Sequence, residues 1–318
     1  MQDKILDFLR KKDDYISGEE ISHKLGVSRQ ALWKHIQELK DSGFEIVAVP
    51  HLGYKLLSAP DRLFPSEVSS RLSTSIIGRK IYYFDELGST MDKAMELGIK
   101  GCPEGTIVLT EAQSKGRGRL GRSWSSPKYK GLYFSLILRP DILPSEAPIF
   151  TLLAAVSVCE AIEHTAHINT QIKWPNDIML DHKKLGGILT ELNAEMDDVR
   201  FIIIGAGINV NNDKKSLIPS AISLKEHAGD DINRVSLLQD ILHSVERNYL
   251  ILKKTGPRKI IDRWKDFNTT LHRRVKIESH SRITEGEAVD IDKDGGLLVR
   301  KDSGVIAKVT SGDVIHCR

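Results

Sequence analysis

Ser17, Gly26 and Ser28 divide the first 45 residues into segments so short that they admit little but three packed helices. Ile5, Phe8 and Leu9 recur at helical spacing. Ser17-Gly18-Glu19-Glu20 then reads as a capping box, Ser17 accepting from the first turn and Glu20 reaching back, ahead of a short helix with Ile21 and Leu25. Gly26 ends that helix and Ser28 caps a third, whose Leu32, Ile36 and Leu39 form an inward stripe up to Gly43. Helix, tight glycine turn, helix is the helix-turn-helix pattern. Residues 44–49 alternate like a strand, 50–53 turn and 54–57 return, which supplies the wing of a winged helix. Ser28 at the start of the third helix, with Arg29, Gln30, Lys34 and His35 on its outward side, can reach phosphates and base edges in a major groove. Nine basic and nine acidic residues cancel over residues 1–60, so a helical interaction module with solvated charges is the competing reading. Ala59-Pro60-Asp61 with Phe64-Pro65 reads as a linker.

With 318 residues the chain has room for two or three domains, and 46 basic against 43 acidic residues, or +3, leave any nucleic-acid contact to a local patch. Three widely spaced cysteines, Cys102, Cys159 and Cys317, support neither a disulfide framework nor a zinc site and fit a reducing cytoplasm. The amino-terminal stretch lacks the apolar core of a secretory signal. Residues 149–162 are apolar but interrupted by Thr151, Ser157 and Glu160, and fall short of the roughly 20 residues a bilayer span needs, so a buried helix and no membrane partner are expected.

From about residue 79 β-rich segments (81–84, 106–110, 133–138, 172–173, 187–192, 199–205) alternate with helical ones (91–97, 148–164, 235–253). The expected fold class is α+β, with one mostly antiparallel or mixed sheet flanked by helices over residues 65–270. After residue 271 short strands return between Gly-containing turns, which fits a small SH3-like barrel over 271–318.

Gly116-Arg117-Gly118-Arg119-Leu120-Gly121-Arg122 is the segment richest in chemistry. Glycines let a backbone fold tightly round an anion while guanidinium forks bind it, and residues 112–140 hold seven Lys or Arg and no acid. A phosphate-bearing ligand is implied, with a flexible RNA-binding loop as the alternative. The run is not GxxxxGK[ST], and Gly205-Ala206-Gly207-Ile208-Asn209 lacks the third glycine of a dinucleotide fingerprint.

That arginine loop with Trp124, then Lys173-Trp174-Pro175-Asn176-Asp177, then Lys184-Leu185-Gly186-Gly187-Ile188-Leu189, then Gly205 to Asn209, resembles the ordered signatures of the biotin protein ligases. The winged helix in front makes the chain similar to the bifunctional class, in which the ligase is also the biotin operon repressor. Position 120, often basic in that family, is Leu here. The resemblance implies that biotin and ATP, with Mg²⁺, give biotinyl-5′-AMP and pyrophosphate, and that a lysine of a biotin carboxyl carrier protein then attacks the adenylate. It implies Lys184 at the biotin carboxyl and α-phosphate, with Arg117 and Arg119 as the other catalytic cations. Biotin falls to Ser89, Thr90, Gln113, Lys184 and the loop residues Gly116, Arg117, Gly118 and Arg119. Arg119, Arg122, Trp124 (stacking on adenine), Asn176 (reading its edge) and Asn209 fall to the nucleotide, and Asp177 to the metal. Ser89 and Thr90 read equally as a helix N-cap, and Asn209 as a turn residue with positive φ. Trp174 reads as core, Lys183 as a surface neighbour of Lys184, and His164 and His167 as helix residues without a zinc-site glutamate. Operator DNA, bound by a ligand-promoted homodimer, is the second partner implied; a sensor without catalysis, a lipoate-type ligase and a ligase whose winged helix no longer binds DNA are the rival readings.

Overall fold

A computed structural model of the chain describes residues 1–12, 14–196, 198–279 and 282–316. Cys317, named above, lies outside them. The chain divides into two compact units, Met1–Arg62 and Leu63–Arg318.

In the first unit, α1 (Gln2–Arg10), α2 (Gly18–Leu25) and α3 (Arg29–Asp41) precede the antiparallel hairpin β1 (Glu45–Val49) and β2 (Gly53–Ser58). The punctuation works as the residue types dictate. Ser17 Oγ accepts from Glu20 N at 3.1 Å, Ser28 Oγ from Ala31 N at 3.1 Å, and Gly26 closes α2 at φ +65°, where a Cβ is disfavoured. The reciprocal half of the capping box does not form, because the Glu20 carboxylate is drawn to Lys24 Nζ at 3.1 Å. Ile5, Leu6, Leu9, Ile21, Leu32, Ile36 and Leu39 are the buried centre of this unit.

The second unit begins at Leu63, which is buried, so Phe64-Pro65 opens α4 (Pro65–Ser69) and is not linker. Then follow β3 (Ile81–Phe84), α5 (Thr90–Ile99), β4 (Thr106–Thr110), β5 (Leu132–Leu138), α6 (Pro148–Ala166), β6 (Gln171–Lys173), β7 (Asp177–Leu180), β8 (Lys183–Glu195) and β9 (Asp198–Ile208). After these come α7 (Leu224–Ala228), α8 (Arg234–Thr255) and α9 (Arg258–Phe267). The sheet order is β3-β4-β5-β9-β8-β7-β6, parallel at β3/β4, which α5 connects, and antiparallel elsewhere. The mixed sheet is therefore as expected, while β7 and the helices α4, α7 and α9 are additions.

Strand alternation explains where a site can open. Residues 202, 204 and 206 of β9 join the core built with α6 and α8, while Phe201 and Ile203 pack on the other face against Met91, Ala94 and Leu97 of α5. Continued along β9, that second series reaches Gly205 and Gly207, whose missing side chains let Met91 of α5 and Trp124 lie directly on the strand. α6 is long and apolar enough to cross a membrane, but twelve of its nineteen residues are buried inside the fold, so it is the core helix expected. Cys159 within it is fully buried, and burial pushes its thiol up to about 12.

β10 (Arg274–Ser279), β11 (Arg282–Ile291), β12 (Leu297–Arg300), β13 (Ile306–Val309) and β14 (Asp313–His316) form an antiparallel sheet in the order β13-β12-β11-β10-β14. Its Val275, Ile277, Leu297 and Val299 belong to the same buried cluster as the central sheet, and Trp174, itself core, donates its indole N–H to Gly295 O at 3.1 Å.

Glu246 on α8 is a further tie. Its buried carboxylate accepts from the backbone N–H groups of Ser75 (2.6 Å), Ile76 (2.8 Å) and Ile77 (2.8 Å). Burial raises its pKa, but the backbone donors outweigh burial and hold it below the ordinary value of 4.5. A depressed carboxylate stabilises the fold above its unfolded pKa, and the contribution is lost as pH falls below 4.5 through the folded value. Glu246→Gln is expected to cost about 1–3 kcal/mol at neutral pH. Melting at pH 7 and pH 3 checks this: the gap from wild type should narrow at the lower pH, and a pH-independent gap contradicts it.

Candidate active site

Every residue expected to bind biotin or nucleotide, Gly116 excepted, lines one cavity of about 670 Å³ on the α5 face of the sheet. Gly116 instead supports the loop: its carbonyl accepts from Trp124 N at 2.8 Å, and a Cβ there would lie 2.4 Å from Trp124 O. The loop is a hairpin closed by Gly118 N to Arg122 O at 2.7 Å, with Leu120 at its tip, exposed and at φ +54°. Leu120 does not line the cavity, so the departure at this position removes no wall residue.

One polar grouping is neutral. Thr90 N and Oγ1 donate to Gln113 Oε1 at 2.9 and 3.2 Å, Ser135 Oγ donates to Thr90 Oγ1 at 2.8 Å, and Gln113 Nε2 donates to Ser126 Oγ at 3.0 Å. Ser89 Oγ caps α5 by accepting from Met91 N at 3.3 Å, so the cap and the pocket wall are the same residues. Ser126 and Ser135 were not anticipated, although a serine inside the apolar run of β5 is a signal of an inward polar contact.

The second grouping is charged. Lys184 Nζ lies 2.6 Å from Asp177 Oδ1 and 5.7 Å from the Trp124 ring centroid. β7 and β8 pair antiparallel, with Asp177 opposite Gly187, and this register brings both side chains to one spot. Trp124 packs on Gly207, where a Cβ would meet its indole nitrogen at 2.5 Å. Arg119, only 20% exposed, donates from Nη1 to Asn176 Oδ1 at 3.1 Å and Gly312 O at 3.3 Å; burial lowers its pKa, opposed by Asp313 and Asp177.

Three expectations need correction. The basic run is not a bare positive patch, because acids distant in sequence fold onto it: Asp92 and Glu191 meet Arg117, Asp313 meets Arg122, Asp85 meets Lys128 and Asp213 meets Lys130. Asn176 is more than a ligand-facing residue: Oδ1 accepts from Arg119 and Nδ2 donates to Ile188 O at 2.8 Å, which makes it a brace for the arginine and leaves each end of the amide one further hydrogen-bonding position. Asn209 takes no positive φ; buried, it donates from Nδ2 to Ile222 O at 3.2 Å. Lys183 points elsewhere, 4.0 Å from Glu226. His164 is tied to Asp240 at 2.8 Å and His167 ends α6 in the left-handed region. No group of three or more His, Cys, Asp or Glu suited to a metal exists among the described residues, so Asp177 is a single carboxylate already shared with Lys184.

In the first unit, Ser28 serves as a cap, Arg29 is held by Glu19 at 2.6 Å and half-buried His35 by Glu38 at 2.9 Å, while Gln30 and Lys34 are exposed.

Residues 83–209 match the Biotin/lipoate A/B protein ligase family, residues 2–55 an HTH domain and residues 270–317 the Biotin protein ligase C terminal domain. The chain is 42% identical to the bifunctional ligase/repressor BirA of Bacillus subtilis (strain 168), over 96% of this chain and 95% of that protein. It is 30% identical to the bifunctional ligase/repressor BirA of Escherichia coli (strain K12), over 95% and 92%. A solved structure of the biotin protein ligase from Aquifex aeolicus, in complex with biotin and ATP, superposes with a TM-score of 0.64 at 30% identity, covering 76% of this chain and 99% of that one.

Proposed function

The chain belongs to the biotin protein ligase family, in the class whose members are both ligase and repressor, and from this we infer how its residues divide the work. It is a biotin protein ligase with an amino-terminal helix-turn-helix repressor domain, and its substrates are biotin and ATP. The carboxylate oxygen of biotin attacks the α-phosphorus and pyrophosphate leaves. The amine of a lysine on a biotin carboxyl carrier protein then attacks the acyl carbon, forming an amide and releasing AMP.

The observation that carries the assignment of roles is that a neutral hydrogen-bonding grouping and a cationic one share a single cavity. Ser89, Thr90 and Gln113 suit the uncharged ring system of biotin, since each offers polar atoms to the cavity, with Ser135 behind them holding the Thr90 hydroxyl. Lys184 and Arg119 suit the two anions that must approach each other, because fixed cations offset a repulsion that water would otherwise have to reorganise around. Arg122, exposed and paired with Asp313, is free to exchange that carboxylate for nucleotide phosphates. Trp124 offers an aromatic wall to adenine. Mg²⁺ typically keeps waters and binds one or two carboxylates plus phosphates, so the lone Asp177 fits an ion carried in on ATP, which would supply charge neutralisation at the phosphates. Asp177 on its own holds Lys184 in place.

The ligase roles are tested by ATP-dependent transfer of biotin to a purified carrier domain. Label on the carrier lysine is the expected result; biotin binding without transfer leaves a sensor built on a ligase scaffold. For the repressor, biotin with ATP is expected to order the arginine loop and promote a homodimer, so that two helix-turn-helix units meet a palindromic operator. Sedimentation with and without both ligands checks it, and identical association in the two cases contradicts it. A cytoplasmic location accords with the buried thiols Cys102 and Cys159.

A further inference from the structure

Helix α3 buries Leu32, Ile36 and Leu39. Trp33 follows the first of these, about 100° further round the helix, and stands 57% exposed. Its neighbours on the helix surface are Arg29 and Gln30, one turn earlier, and Gln37, one turn later. Arg29 and Gln30 are exposed as well. The charge on this face is one-sided in its own sequence: residues 28–37 contain no Asp or Glu, although a helix dipole favours acids in the first turn. Among the described residues one anion is paired with this face, Glu19 of α2, which holds Arg29 at 2.6 Å. A helix start left without acids of its own, bordered by exposed Arg29 and Lys34, is complementary to phosphates.

Within the repressor reading, on which this rests, we propose that Trp33 is a specificity-determining residue of the DNA interface. Its indole supplies the apolar contact to thymine 5-methyl groups in the major groove. Gln30 supplies hydrogen bonds to base edges, and Arg29 and Lys34 hold phosphates. The three polar side chains orient the helix; the indole adds a contact that depends on a methyl group and therefore on sequence.

The test begins with the full chain plus biotin and ATP, used to select duplexes from a randomised pool. The recovered duplex is remade with deoxyuridine for each thymine in turn, which removes only the methyl group. Wild type should lose affinity at one or two of these positions. Trp33→Ala should bind the thymine duplex roughly 10- to 100-fold more weakly, ignore the methyl removal, and keep the salt slope, because no phosphate contact is lost. Trp33→Phe should recover part of the loss. Because Trp33 is exposed, the variants should melt and transfer biotin like wild type, which separates this effect from misfolding. Retained methyl sensitivity in Trp33→Ala overturns the proposal, as does a changed sedimentation with discrimination intact, which would assign Trp33 to a protein contact. A wild-type chain that enriches no sequence overturns the repressor reading itself, and this proposal with it, at the selection step.

Discussion

Replacing Lys184 with Ala is expected to slow biotinyl-adenylate formation roughly 10²- to 10³-fold, with biotin affinity nearly intact. The ammonium, held by Asp177 at 2.6 Å, is fixed before substrate arrives, so its benefit falls where negative charge is greatest, as the carboxylate closes on the α-phosphate. The neutral grouping at Thr90 and Gln113 is untouched by this change, which is why KM for biotin should move little while kcat falls. Arg119→Ala is expected to act differently. Arg119 is braced by Asn176 and largely buried, so its loss opens the wall around the bound intermediate, shortens adenylate dwell time and scatters label onto exposed lysines. Asn176→Ala should give a weaker copy of that second phenotype, since it removes the brace and leaves the guanidinium. Single-turnover adenylate formation and dwell time, measured on the three variants, separate these roles. A Lys184→Ala enzyme whose defect lies wholly in biotin KM, or an Arg119→Ala enzyme with unchanged dwell time, contradicts them.

The parts of this molecule legible in its sequence are those encoded over a few residues. Ser17, Gly26 and Ser28 announce the helix-turn-helix because caps and left-handed turns act within one helical turn of themselves. The arginine loop stands out by residue type, Lys184 and Asp177 only through the resemblance to the ligase signatures, and the loop arginines line one cavity with both. What was hidden depends on partners far away in the chain. Asp313 lies 191 residues from Arg122, and nothing near it in sequence marks it as a counterion for the loop. Strand β7 was missed because the turn after it uses Asp181 and His182 at φ +49° and +61°, where a hairpin of this kind ordinarily advertises itself with Asn-Gly or Asp-Gly. The floor of the site is written in the alternation of β9, but only once α5 is known to cover Phe201 and Ile203 do Gly205 and Gly207 read as the places where Met91 and Trp124 press against the strand.

Glu111 and Arg234 belong to the same hidden class and carry the largest expected effect on stability. Their side chains are fully buried and paired at 2.8 Å. Arg234, the first residue of α8, also donates to Gly131 O at 3.1 Å, and Glu111, just past β4, accepts the Leu63 N–H at 2.9 Å. The pair thus joins the start of this unit, its sheet and its long helix. Arg234→Met breaks this fully buried ion pair by removing its guanidinium, which costs about 3–5 kcal/mol. For a body of this size that corresponds to a fall in Tm of roughly 6–20 °C. The loss is large against the 5–15 kcal/mol typical of whole-domain stability, so the variant should also lose ligase activity on mild heating. Adding Glu111→Leu removes the carboxylate as well and should restore part of the stability. Restoration stays incomplete because the Leu63 N–H and the Gly131 carbonyl still lack partners. The cost of Arg234→Met is therefore mainly that of breaking a buried pair, and a double-mutant cycle by urea unfolding measures the coupling directly. An Arg234→Met chain melting within a degree or two of wild type, or a double variant no better than the single one, would refute this account of the pair.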